Sequence, residues 1–380
     1  MKPLTALLIF FFLTYALKAQ DEEYDPDYTP FGIFVDDILA ASGTPRLDEI
    51  NKAFEALEAG STEFDPFTMP DIYFFKVRQL CGLKQFDEAL VTALELRDKA
   101  YSFSVEMTST GPRAYALSYV AEGYVHWLQR DKETAKIFFD SARMEHNGFY
   151  PNYYLGWIAQ SNDENEAALN YYETAAKGIT LDKLDKSEAF YKSALIYHGM
   201  NLYTKAIDYY TKAFETYPMC KSIFDRARLY YYSSAYPDKT IAYDDFRKVI
   251  DNCDESFDRL GKAYSYVAED HYNKQEDDIA GQYYQKAYEL SGGYTDAVMV
   301  GIVAYVKKDW NGTIRWCTEG INASRNFNDV SQRTLGDAYF YRGYAYWNQQ
   351  KMDNVVSDLK MARSLGHKQA AEYLKQYFNQ

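Results

Sequence analysis

Cysteine, histidine and proline are scarce in this chain, and each scarcity closes off a class of function. The 380 residues hold four cysteines, five histidines and ten prolines. Cys81, Cys220, Cys253 and Cys317 form no CxxC pair, so the spacing that ligates zinc is missing. His126, His146, His198, His271 and His367 stand apart, none in HExxH or another paired-ligand spacing. No nucleophile elbow, Walker loop or dinucleotide fingerprint occurs, so no cofactor and no catalytic residues are expected. Basic clusters are missing as well. Against 55 acidic side chains there are 41 basic ones, a formal charge of −14. That field repels phosphate backbones and anionic lipid heads, which argues against a nucleic-acid partner.

Tyrosine is what the chain has in excess, 38 of them within a hydrophobic content of 47%. A tyrosine buries its ring while its hydroxyl stays wet, which suits a fold with shallow cores and much surface. The N-terminus reads as an address. Lys2 precedes a 14-residue apolar run from Leu4 to Leu17, too short to span a bilayer comfortably, and Ala19 leads into an acidic stretch. This predicts a cleaved signal peptide at residues 1–19, with no membrane insertion afterwards and a periplasmic or secreted product. Its Lys-Ala-Gln ending resembles exported proteins of Gram-negative bacteria. Loss of Lys2 and Lys18 would leave 39 basic against 55 acidic groups, or −16. Residues 20–30, with five acids and two prolines, read as a flexible acidic leader.

Two helices are expected over residues 31–60, with Phe34, Ile38 and Leu39 on one face of the first. Leu47, Ile50, Phe54 and Leu57 recur on the second. They read as a cap or a degenerate repeat, followed by a linker with two prolines up to Pro70. Beyond it one pattern recurs, clearest in SEAFYKSALIYHGMNLYTKAIDYYTKAFETYP, Ser187 to Pro218. Ala194, Ala206 and Ala213 sit where two helices must approach. Phe190, Tyr197 and Tyr210 fill the flanks, a turn falls at Gly199–Asn201, and Pro218 ends the unit. A small or short residue opens the second helix of each unit: Ala89, Ala135, Ala168, Ala206, Ala242, Ala280, Thr313 and Val355, at intervals of 33 to 46 residues. The variation is expected in the connections, and the unit with Thr313, Cys317 and Gly320 is expected to pack more loosely.

This pattern resembles the tetratricopeptide repeat family, whose 34-residue unit is W-x2-L-G-x2-Y, then A-x3-F, then proline. The resemblance implies an all-α, right-handed superhelical solenoid of antiparallel helix pairs. About eight repeats would occupy residues 71–366, with a C-terminal capping helix at 367–380. It also implies a concave groove lined by the first helix of each unit. The groove positions are Tyr124, Trp127, Tyr153, Trp157, Tyr191, Tyr231, Tyr266, Tyr272, Phe340, Tyr344 and Trp347, with Tyr150 beside them. About half of these are expected to pack against neighbouring helices instead. The remainder would bind a protein or peptide segment. Lys192, Arg228 and Lys262 are too dispersed for the cationic clamp of members that hold acidic tails, so an apolar or aromatic-bearing peptide fits better. A glycan held on exposed Trp and Tyr rings is the alternative. Cys220 and Cys253 fall at the two neighbouring ends of one hairpin, which suggests a disulfide; four buried thiols is the competing reading.

Overall fold

The computed structural model describes residues 44–58, 69–106, 110–180 and 182–378, which form eighteen α-helices and no strand among them. The expected signal peptide, the acidic leader, the first helix of the 31–60 pair and the stretch 61–68 lie outside the described residues. The chain divides into two compact units, one ending at Tyr217 and the other beginning at Pro218.

The first unit contains α1 (Thr44–Glu58) and four hairpins. These are α2 (Met69–Gly82) with α3 (Phe86–Glu106), α4 (Thr110–Leu128) with α5 (Lys132–Glu145), α6 (Phe149–Ser161) with α7 (Asn165–Lys177), and α8 (Lys183–Gly199) with α9 (Tyr203–Thr216). The second unit contains α10 (Cys220–Tyr232) with α11 (Thr240–Asn252), α12 (Leu260–Asn273) with α13 (Asp277–Ser291), α14 (Tyr294–Val306) with α15 (Trp310–Ser324), and α16 (Gln332–Asn348) with α17 (Met352–Ser364). A final helix, α18 (Lys368–Phe378), follows. Within each unit the helices of a pair pack on each other, and consecutive pairs stack. Met69 and Pro70, read from sequence as the end of a linker, already belong to α2. A proline in the first helical turn forfeits no intrahelical hydrogen bond, so it starts a helix without strain.

All eight residues chosen as repeat markers, from Ala89 to Val355, have no solvent exposure. The reason is interhelical distance, since helix axes draw close only where side chains are small. At Gly123 an added Cβ would lie 2.7 Å from the Phe139 ring, and at Gly156 it would lie 2.7 Å from Tyr172. The unit expected to be loose is close-packed instead. A Cβ on Gly301 would stand 2.6 Å from Cys317 Sγ, and one on Gly320 would stand 2.5 Å from Val298. With small residues on both helices, α14 and α15 approach until Cys317 fills the place of the usual aromatic. The long first interval also has a different origin from the one expected. α3 spans 21 residues and α4 spans 19, so most of the extra length is helical rather than in a connection.

Seven hairpin turns share one conformational device. Lys84, Arg130, Asp163, Asn201, Gln275, Lys308 and Gln350 all have φ between 59° and 69°, and each lies five residues before its repeat marker. The left-handed residue reverses the chain and lets backbone N–H groups reach the last carbonyls of the first helix. Lys84 N, for instance, donates to Cys81 O at 3.0 Å, and Gln85 N donates to Leu80 O at 2.9 Å. In the eighth hairpin that position is Pro237, whose ring holds φ near −65° and forbids the turn. Here the connection lengthens to residues 233–239. The Lys239 ammonium takes over the capping, donating to the carbonyls of Tyr236 at 2.8 Å, Ser233 at 3.2 Å and Tyr230 at 3.4 Å. The same hairpin carries a disulfide, Cys220–Cys253, with Cα atoms 5.9 Å apart; Cys220 opens α10 and Cys253 follows α11. Cys81 and Cys317 are buried free thiols, both pushed up to about 12 by burial, so neither is reactive.

Candidate binding faces

In the first unit the sequence-derived groove residues come from α4, α6 and α8, and the structure separates them into two groups. Tyr153 and Tyr191 are buried. Tyr153 stacks on Phe149 at 5.3 Å, and Tyr191 lies against Tyr210 at 5.8 Å, so both rings serve packing. Tyr124, Trp127 and Trp157 are half-buried. Trp127 and Trp157 meet at 5.9 Å, with Lys132 5.6 Å from the first ring and Lys192 4.7 Å from the second. The buried Trp157 Nε1 has no hydrogen-bond partner, an indole donor left without an acceptor.

Beside this pair the face is closed by α2. Phe74 contacts Tyr150 at 4.8 Å, Tyr124 at 6.2 Å and Tyr154 at 6.3 Å. Arg78 forks onto the Asp185 carboxylate with bonds of 2.7 and 3.1 Å, joining the first hairpin of the unit to the start of the fourth. Tyr150 OH is hydrogen-bonded to Thr180 Oγ1 at 3.0 Å. Burial, with the carboxylates of Asp185 and Asp71 nearby, pushes the Tyr150 phenol well above its ordinary pKa. Tyr150, taken from sequence as a groove position, is core.

In the second unit Tyr231 and Tyr266 form one cluster. Their rings lie 4.7 Å apart, and Tyr266 stacks on Phe246 at 4.2 Å. Tyr231 OH donates to Glu269 Oε2 at 2.6 Å, and Tyr232 OH is 2.7 Å from Tyr266 OH. Burial and the Glu269 charge both push the Tyr231 phenol far above its usual range. Arg228 is engaged at 3.6 Å with Asp225, and Lys262 is exposed. Tyr272 is half-buried against Ala268, Ala280, Ile302 and Cys317.

Phe340, Tyr344 and Trp347 meet α18. Phe340 is buried and stacks on His367 at 4.1 Å. Trp347 lies edge-on to Tyr377 at 5.0 Å and to Phe378 at 5.5 Å. Tyr344 contacts Tyr305 at 5.2 Å and Tyr373 at 6.4 Å. Three of the eleven groove residues expected from sequence, Tyr153, Tyr191 and Phe340, are therefore core, and the other eight keep part of their rings accessible.

Sequence reasoning passed over Tyr154, Tyr305, Trp310, Tyr341 and Tyr373, which join these clusters as neighbours of the residues it chose. Tyr154 lies four residues after Tyr150 and three before Trp157, and Tyr341 lies three before Tyr344, so the helical register alone could have found them. Two of the histidines that stand at tyrosine positions of the repeat pack on rings: His126 stacks on Phe138 at 5.4 Å, and His271 lies 5.4 Å from Tyr283 with its Nδ1 against Glu276. Among the described residues no three His, Cys, Asp or Glu side chains converge as a metal site would require.

Tandem helix hairpins with small residues at the contacts and aromatic inner helices define a helical-repeat protein. Residues 187–218 match the family described as tetratricopeptide repeat. The fold is similar to that of the C-terminal part of a tetratricopeptide repeat-containing protein from Cytophaga hutchinsonii. Identity is 15%, with 68% of this chain and 100% of that chain covered and a TM-score of 0.50. A tetratricopeptide repeat protein from Parabacteroides merdae is 17% identical over 68% of this chain and 97% of its own, with a TM-score of 0.39. No curated protein matches the chain. Residues 187–218 thus carry a tetratricopeptide repeat, within a chain whose described residues fold as tandem helix hairpins.

Proposed function

We propose that the chain is a non-enzymatic adaptor that binds a partner protein through a peptide segment. Tetratricopeptide proteins commonly mediate protein–protein contacts, and the Trp127–Trp157 pair carries the assignment for this one. Two large rings are held 5.9 Å apart, both partly open. Rigid aromatic rings give contact area at low ordering cost. Export through a cleaved N-terminal signal to the periplasm or beyond belongs to the same proposal. The Leu4–Leu17 run and the Cys220–Cys253 bond support it, because disulfides persist in oxidising compartments.

A peptide array and a glycan array probed side by side test the binding reading. Wild type should label peptide spots that the Trp127→Ala, Trp157→Ala double variant no longer labels. Labelling confined to glycans would overturn the assignment. Edman sequencing of the protein recovered from its native cells should begin after residue 19; recovery with Met1 intact would overturn the export reading.

A further inference from the structure

A second site lies away from the tryptophan pair and is independent of the peptide-binding reading. In the first unit, α7, α8 and α9 enclose an open depression of about 490 Å³, within the size range of small-ligand sites. Glu173, Ala176 and Lys177 line it from α7, Lys186 and Phe190 from α8, and Tyr209, Lys212, Glu215 and Thr216 from α9. Three lysines and two glutamates line it, on a chain of net charge −14.

Its parts are differently committed. Lys212 is held by Asp208 at 2.9 Å and lies 4.6 Å from the Tyr209 ring. Lys177 and Lys186 have no ion-pair partner among the described residues, although Lys186 is half-buried. Phe190 and Tyr209, edge to face at 6.1 Å, supply a half-buried apolar wall. Glu173 Oε1 accepts from both Tyr197 OH at 2.9 Å and Tyr209 OH at 2.6 Å, which fixes the carboxylate beside that wall. Its Oε2 has no hydrogen-bond partner among the described residues.

An anchored acceptor, two uncommitted ammonium groups and a ring wall ask for three things from one ligand: hydroxyl donors, a negative charge and a flat apolar face. We propose that this depression binds a sugar acid. The carboxylate of a hexuronate would meet Lys177 and Lys186, a ring hydroxyl would donate to Glu173 Oε2, and the apolar face of the pyranose would lie on Phe190 and Tyr209. Charge-assisted hydrogen bonds of this kind are the strong ones.

Calorimetric titration of the full chain with glucuronate, glucose and benzoate tests the proposal. Glucuronate should bind saturably and more tightly than either of the others. The Lys177→Gln, Lys186→Gln double variant should bind it about tenfold more weakly, as expected on losing hydrogen bonds to a charged group. Lys375→Gln, on α18, should bind it as wild type does. Equal binding of glucose would overturn the role of the charge. Tighter binding of benzoate would overturn the sugar class, and equal weakening by Lys375→Gln would reduce the effect to net charge. Absence of saturable binding by glucuronate would overturn the site itself.

Discussion

Gly156 and Gly199 are both helical glycines, yet alanine should affect them in opposite directions. In an exposed helix, glycine to alanine gains about 1 kcal/mol, because glycine loses more backbone freedom on folding. Nothing lies within 4 Å of the Cβ site at Gly199, so Gly199→Ala should raise stability by about 0.5–1 kcal/mol. At Gly156 the new methyl would strike the Tyr172 ring, which is itself fully buried. Gly156→Ala should cost about 1–3 kcal/mol by overpacking. Urea denaturation of the two variants checks both signs.

Asp296 makes a pH-dependent contribution at the same scale. Its carboxyl, buried near the start of α14, accepts from Ser265 Oγ at 2.7 Å, and burial pushes its pKa up to about 6. A carboxyl with a raised folded pKa binds more protons folded than unfolded, so stability falls as pH rises through the window from about 4 to about 6. Above that window the deficit is constant. The stability of wild type minus that of Asp296→Asn should therefore decrease between pH 4 and pH 6 and stay level to pH 8. A difference that does not change with pH would show that the carboxyl titrates normally.

Within the helix pairs, two hairpins of the second unit share an ion pair that the repeat pattern hid. Arg226 and Arg342 each precede the small contact residue of the first helix. Each forks onto an aspartate three residues after the marker of the second, Asp245 or Asp358, with both bonds at 2.8 Å. Asp358→Ala leaves the Arg342 guanidinium without its partner in a mostly buried place, and should cost about 3 kcal/mol or more. Thermal denaturation of this variant beside Asp353→Ala, an exposed acid on the same helix, measures it.

The hairpin of α10 and α11 depends on its bridge in place of the usual turn. Replacing Cys220 and Cys253 by alanine releases a constraint over a separation of 33 residues, worth about 3–4 kcal/mol of chain entropy. Loss of stability in urea should match the loss seen when wild type is reduced. An unchanged midpoint would show that Lys239 and the packing of Phe224 on Phe246 suffice.

The whole molecule was legible in sequence wherever packing dictates composition. Small residues are required at close helix contacts, so Ala89 through Val355 could be placed without coordinates. The left-handed turn residues were not legible, because Lys, Arg, Asp, Asn and Gln occupy that position and only backbone geometry unites them. Nor could the inner-face tyrosines be divided into core and open rings. Tyr153 and Trp157 are one helical turn apart on the same face, and what separates them is what lies on each, the Phe149 ring on Tyr153 and the Lys192 ammonium on Trp157. Arg78 and Asp185, 107 residues apart, lie beyond any local pattern.

The central claim is that the half-buried tryptophans of the first unit, unlike the buried tyrosines beside them, meet the partner. Calorimetry of the strongest array peptide against wild type and the Trp127→Ala, Trp157→Ala variant tests it most directly, with helical circular dichroism recorded on both. The expected result is an affinity at least about a hundredfold lower for the variant, the loss of two aromatic anchors at about 1.4 kcal/mol or more each, with the helical signal unchanged. Equal affinity in a variant that folds as wild type does would contradict the claim.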